Sequence, residues 1–143
     1  MLAEQLFNAS CLDHKDSARP LFLSTVKAGF PSPADDFMEQ RLNINDYVVK
    51  KPASTYYVRV SGDSMIGAGI FSGDILVVDR SIPINDNSVV VAMIDNEFMV
   101  KRFCKHKGHY YLLSENSQYD PIEVSNTELM IWGVVTFTIH KVT

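Results

Sequence analysis

From residue 47 onward, short apolar segments recur at close spacing, each cut off by turn-forming residues. No other feature limits the fold of this chain as strongly. Tyr56, Val58 and Val60 alternate with Tyr57, Arg59 and Ser61, the period of two that marks a half-buried strand. Gly62-Asp63 then breaks the pattern, since both residues favour turns. Further strands are predicted over residues 75–78, entered through Ser72-Gly73-Asp74, and over 88–94 and 98–103, joined at Asp95-Asn96-Glu97. Lys107-Gly108 turns another pair that ends in Tyr110-Tyr111-Leu112-Leu113, and residues 130–139 close the chain with strong β formers. Strands this short and this close predict a mainly β, antiparallel fold, a sandwich or partly closed barrel.

The N-terminal third reads differently. Residues 1–20 hold one short helical candidate, and a mixed apolar stretch, Leu21-Phe22-Leu23-Ser24-Thr25-Val26, follows. Next comes Lys27-Ala28-Gly29-Phe30-Pro31-Ser32-Pro33, where two prolines exclude helix and discourage sheet pairing, so the segment should be extended and accessible. Phe37, Met38 and Leu42 recur at helical spacing, with Asp35, Asp36 and Glu39 in the first turns to complement the helix dipole. One short helix is predicted there, over residues 34–42, ended by Asn43-Ile44-Asn45-Asp46. The expected division is a flexible N-terminal arm, residues 1–45, and a β domain, residues 46–143.

Charge and cysteine usage narrow the partners. A net charge of −4 argues against a broad basic surface, so strong direct DNA binding is not expected. No apolar run is long enough to span a bilayer, and Met-Leu-Ala-Glu-Gln lacks the basic start of a secretory signal, which predicts a cytoplasmic protein. Cys11 and Cys104 lie far apart without metal-ligand spacing and read as free thiols. His106 and His109 flank a turn and read as solvated loop residues. No metal and no cofactor is implied.

Two residues carry candidate chemistry. Ser64 follows a strand end, where a side chain projects and nearby backbone N–H groups stay free, the setting a serine nucleophile needs. A serine also needs a base, and no histidine or carboxylate sits in a usual triad pattern. In Phe98-Met99-Val100-Lys101-Arg102-Phe103, alternation places Lys101 on the face of Met99 and Phe103 while Arg102 points away. Burying an ammonium costs several kcal/mol, so such a lysine shifts toward its neutral form and can accept the serine proton. The competing reading is an edge-strand lysine whose ammonium reaches back to water.

Taken together, Ser61-Gly62-Asp63-Ser64-Met65, Ser72-Gly73-Asp74 and Glu97-Phe98-Met99-Val100-Lys101-Arg102 resemble the LexA/UmuD family of self-cleaving serine–lysine peptidases. Ala28-Gly29-Phe30-Pro31-Ser32-Pro33-Ala34 and Glu39-Gln40-Arg41 resemble its UmuD branch. Similarity runs from about residue 21 to the end. The resemblance implies that Ser64 is the nucleophile and Lys101 the general base, and that the backbone amides of Ser64 and Met65 receive the oxyanion. It implies a cut at Ala28-Gly29, where the best-known UmuD-type protein has Cys-Gly. It further implies a homodimer, stimulation by a RecA filament on single-stranded DNA, and partnership with a UmuC-like Y-family polymerase subunit in the SOS response.

Two alternatives remain on the residues alone. In a LexA-like repressor core, a DNA-binding domain should precede the cut, yet the first 28 residues show no helix-turn-helix pattern. In a non-catalytic β assembly module, Ser64 would be a turn residue and Lys101 a solvated one. Exposed apolar residues of the last strand, Ile131, Trp132 and Phe137, would suit a self-paired interface, with core burial as the leading alternative for any one of them.

Overall fold

The computed structural model describes residues 17–22, 25–29, 39–124 and 129–143. The helical candidate within the first twenty residues falls almost wholly outside them, as do Cys11 and residues 30–38. The chain divides into two compact units, Met1–Tyr47 and Val48–Thr143.

In the first unit, β1 (Arg19–Phe22) pairs antiparallel with β2 (Glu39–Leu42), Arg19 opposite Leu42 and Phe22 opposite Glu39. Residues 39–42 are therefore strand, which corrects the helix predicted over 34–42 in its described part. Helical spacing of three apolar residues lost to pairing with a partner about twenty residues earlier, which no local period reveals. The helix instead begins where it was expected to end: α1 is Ile44–Val48. Asn43 starts it, its side-chain oxygen accepting from Asp46 N–H at 3.2 Å and its carbonyl from Tyr47 N–H at 3.0 Å.

Among the described residues, the second unit forms one antiparallel sheet of seven strands. They are β3 (Thr55–Arg59), β4 (Ile75–Asp79), β5 (Val89–Ile94), β6 (Glu97–His106), β7 (His109–Leu113), β8 (Ile122–Glu123) and β9 (Leu129–Ile139). Their order is β3-β4-β9-β5-β6-β7-β8, so the sheet stays open, with β3 and β8 as its edges. The fold is mainly antiparallel β, as the strand spacing predicts. Both hairpins at β5–β6 and β6–β7 turn on positive-φ pairs, Asp95 (49°) with Asn96 (66°) and Lys107 (50°) with Gly108 (78°), which match the twist of the flanking strands.

Strand β5 is buried on both faces. Val90, Ala92 and Ile94 pack with Leu112, Val124 and Val134, whereas Val91 packs with Met65, Ile70, Leu76 and Val78. The last strand, β9, runs between β4 and β5 and offers no edge. Ile131 packs against the first cluster and Trp132 against the second, which is the core burial that competes with an interface role for these residues. Two bulges interrupt β9, at Trp132 opposite β5 and at Thr136 opposite β4. Gly133 lies between them because a Cβ there would meet Val78 Cγ1 at 2.6 Å.

Two buried carboxylates brace the ends of β4. Asp79 Oδ1 accepts from Ser54 Oγ, Ser81 N–H and Ser81 Oγ at 2.7–2.8 Å. Asp74, 2% exposed, accepts from Phe71 N–H and Thr138 Oγ1 and faces His140 Nδ1 at 2.6 Å. Burial raises its pKa, but these three partners outweigh burial and hold it below the ordinary value. Among the described residues no helix is long and apolar enough to cross a membrane, and no cluster of three or more His, Cys, Asp or Glu side chains could hold a metal ion.

Candidate active site

The turn that carries Ser64 is fastened on both sides. Val60 N–H donates to Asp74 O at 3.0 Å and Gly73 N–H to Val60 O at 2.8 Å, so the β3–β4 ladder continues past Arg59. Gly62 then takes φ 94°, a conformation that strains any residue with a Cβ, and its N–H donates to Ser72 Oγ at 3.2 Å. Directly after Ser64, Met65 is 2% exposed and plugs into the cluster with Ile70, Leu76 and Val78. Ser64 itself is half-buried, on a rigid support. Among the described residues, the amides of Ser64 and Met65 carry no hydrogen-bond partner, while Gly67 N–H is taken by Glu115 O at 2.8 Å. Two unengaged donors beside a half-buried hydroxyl are what an oxyanion requires.

Lys101 comes from the middle of β6. It is 9% exposed, opposite Val90 on β5, with Met99 and Phe103 on the same strand face packed against the core. The lysine is thus buried, and the snorkelling alternative does not describe it. Burial depresses its pKa below the ordinary lysine value, because the ammonium loses water that this wall does not replace. Its Nζ donates to Ser114 Oγ at 2.8 Å and lies 5.3 Å from the centre of the Tyr119 ring.

What links lysine and serine is the loop at residues 114–119, which sequence reading missed. Ser114 holds the amine, and Glu115 pairs with Arg102, the next residue along β6. The same loop grips the serine turn. Asn116 Nδ2 donates to Asp63 O at 2.9 Å, Tyr119 Oη donates to Asp63 Oδ1 at 2.6 Å, and Glu115 O accepts from Gly67. The Asp63 carboxylate keeps the Tyr119 phenol protonated by raising its pKa. Gly67 is a position of forced close approach, since a Cβ would lie 2.7 Å from Glu115 O. In the sequence these loop residues are an ordinary polar stretch, and only their contacts give them a role.

An apolar groove runs between the end of β3 and the start of β6. A cavity of about 280 Å³ is lined by Val58, Val91, Phe98 and Trp132. A second, of about 160 Å³, shares Val58, Val91 and Phe98 and extends along Arg59, Val60 and Ser61 toward the serine turn. Ala28 and Gly29, in the other unit, are both exposed, and a Cβ on Gly29 would meet nothing within 4 Å.

Comparison with known proteins gives concordant matches. A family model described as Peptidase S24-like matches residues 20–136. The chain is 44% identical to Protein SamA of Salmonella typhimurium over 125 residues, 87% of each chain. It is 43% identical to Protein MucA of Escherichia coli over 122 residues, covering 84% of this chain and 83% of MucA. Identity to the LexA repressor of Bacillus cytotoxicus is 40% over 111 residues, 77% of this chain and 53% of the repressor.

Proposed function

This chain belongs to the Peptidase S24-like family, and on that premise we propose that it cuts its own N-terminal arm at Ala28-Gly29, using Ser64 as nucleophile and Lys101 as base. It is a UmuD-like, autocatalytic serine peptidase of the SOS response to DNA damage. One observation supports the dyad above all others: a lysine 9% exposed on an apolar face, with a depressed pKa, held by the loop that also grips the serine turn.

The chemistry follows from those groups. Neutral Lys101 Nζ takes the proton of Ser64 Oγ as that oxygen bonds to the Ala28 carbonyl carbon. The amides of Ser64 and Met65 receive the negative charge on the former carbonyl oxygen. Collapse breaks the bond to Gly29 N, which leaves with the lysine's proton, and water then releases Ala28 from Ser64. A scissile bond on the same chain has a high effective concentration, so a shallow groove suffices. The cost of neutralising the lysine acts as a brake.

Residues 1–45 serve as the arm that is cut, and residues 46–143 as the unit that cuts and pairs. The shortened protein forms a homodimer and associates with a polymerase. A RecA filament on single-stranded DNA stimulates the cut by shifting the population of the arm. The polymerase partner is a UmuC-like Y-family subunit, and the setting is cytoplasmic.

Mass measurement of the purified protein held at mildly alkaline pH tests this. A species beginning at Gly29 should appear, faster with activated RecA, and be absent in Ser64→Ala and Lys101→Ala. An intact wild-type mass under both conditions would instead favour the non-catalytic assembly module.

A further inference from the structure

Resting on the serine–lysine reading, we propose that Ser114 is a positioning residue, whose hydroxyl fixes the ε-amine of Lys101 where it can serve Ser64. The sheet register itself makes this arrangement. Arg102 faces Leu113 in the β6–β7 ladder, so the next step outward sets Lys101 opposite Ser114, just past the end of β7. Directly opposed residues of an antiparallel pair have Cβ atoms about 5 Å apart on one face. Backbone pairing thus brings the two side chains within reach of each other, and the contact at 2.8 Å closes that reach.

On its other side Lys101 faces Val90, which is fully buried and has an apolar side chain. A lysine stem has four rotatable bonds, and an apolar wall by itself does not choose among its end positions. The charged and titratable groups nearby are already committed. Tyr119 donates to Asp63, and Arg102 pairs with Glu115. Ser114 is left as the neutral acceptor for one amine hydrogen. That bond stops the amine from swinging and leaves its lone pair free to take a proton.

The hydroxyl has a second consequence. An oxygen that accepts from the amine favours the ammonium over the neutral form. Removing it should therefore let the lysine lose its proton at lower pH while leaving the amine less well placed. A side chain that merely filled space would give neither that displacement nor that pairing of effects.

Self-cleavage of the full-length chain, followed by mass against pH, decides the matter with Ser114→Ala, Ser114→Val and Ser114→Thr. Alanine and valine should lower the plateau rate about tenfold, a cost typical of a slightly misplaced reacting group. Both should also move the half-rise to lower pH. Threonine, which restores the hydroxyl, should recover most of the rate and the wild-type midpoint. Wild-type rate and midpoint in the alanine and valine variants would overturn the proposal, as would threonine failing as badly as valine. Should Ser114→Ala lose its melting transition, threonine and valine decide alone, being close in volume and differing in the hydroxyl. A wild-type chain that never cuts brings down the dyad reading and this inference with it. Equal rates among cutting variants remove only the role of Ser114.

Discussion

The two units use the same antiparallel ladder and put it to opposite ends. In β1 all four side chains are exposed, and its ladder has β2 as its partner. In the second unit Val77, Val78, Val90 and Ala92 have no exposure at all. Ladder hydrogen bonds contribute little net stability, because water offers the same bonds to the open chain. Burial of each valine or leucine contributes about 1.5–3 kcal/mol. The contrast suits a protein that cuts itself: one unit keeps its backbone easy to reach, and the other holds the proposed reacting groups still.

Hydrogen exchange puts that contrast at greatest risk. Amides of β1 and β2 should exchange at least about a thousandfold faster than those of β4, β5 and β9, since a ladder of two short strands is marginal in water. Comparable protection in both units would break the comparison.

Next in size is the pH dependence of self-cleavage. The proposed scissile bond, Ala28-Gly29, carries no titratable group, so the profile should belong to the proposed base, Lys101, in the buried unit. The rate should rise about tenfold per pH unit and level off below the ordinary lysine pKa of about 10.4. The sign follows from the depressed pKa: the reactive neutral amine becomes more abundant as pH rises. A rate that does not fall on acidification would exclude the lysine as base.

Smaller effects test the packing. Gly133→Ala forces a Cβ to within 2.6 Å of Val78 Cγ1, and Val78 is fully buried with nowhere to move. Urea or thermal melts should show a loss of about 2 kcal/mol. Lys101→Met should move the other way. It exchanges a buried ammonium for an apolar chain of similar length, and a gain of about 1 kcal/mol is expected at neutral pH together with complete loss of cutting. Wild-type stability should itself rise with pH between the depressed folded pKa of Lys101 and about 10.4, because there the unfolded state binds the extra proton. The methionine variant's advantage should shrink over that window.

Much of the β unit was legible from its residues because its signals are local. Asp95-Asn96 and Lys107-Gly108 announce their hairpins, and Lys101 betrays itself as a charge on an apolar face. Pairing between distant segments was not legible. Residues 39–42 look helical until β1 is beside them, and Asn43 looks like a stop although its side chain starts α1. The loop at residues 114–119 was invisible for the same reason. Serine, glutamate, asparagine and tyrosine in a turn are unremarkable until Asp63, Gly67 and Lys101 arrive from elsewhere in the chain.

The bulge at Trp132 has a practical consequence. Trp132 is the sole tryptophan of the chain, and its indole lies 5.1 Å from the Tyr56 ring and 6.3 Å from the Phe98 ring, lining the larger cavity of the apolar groove. The molecule therefore carries its own fluorophore at the place where a guest would exclude water. Shifts in its ultraviolet emission would report occupancy of the cavity in real time, with no dye attached and no residue changed.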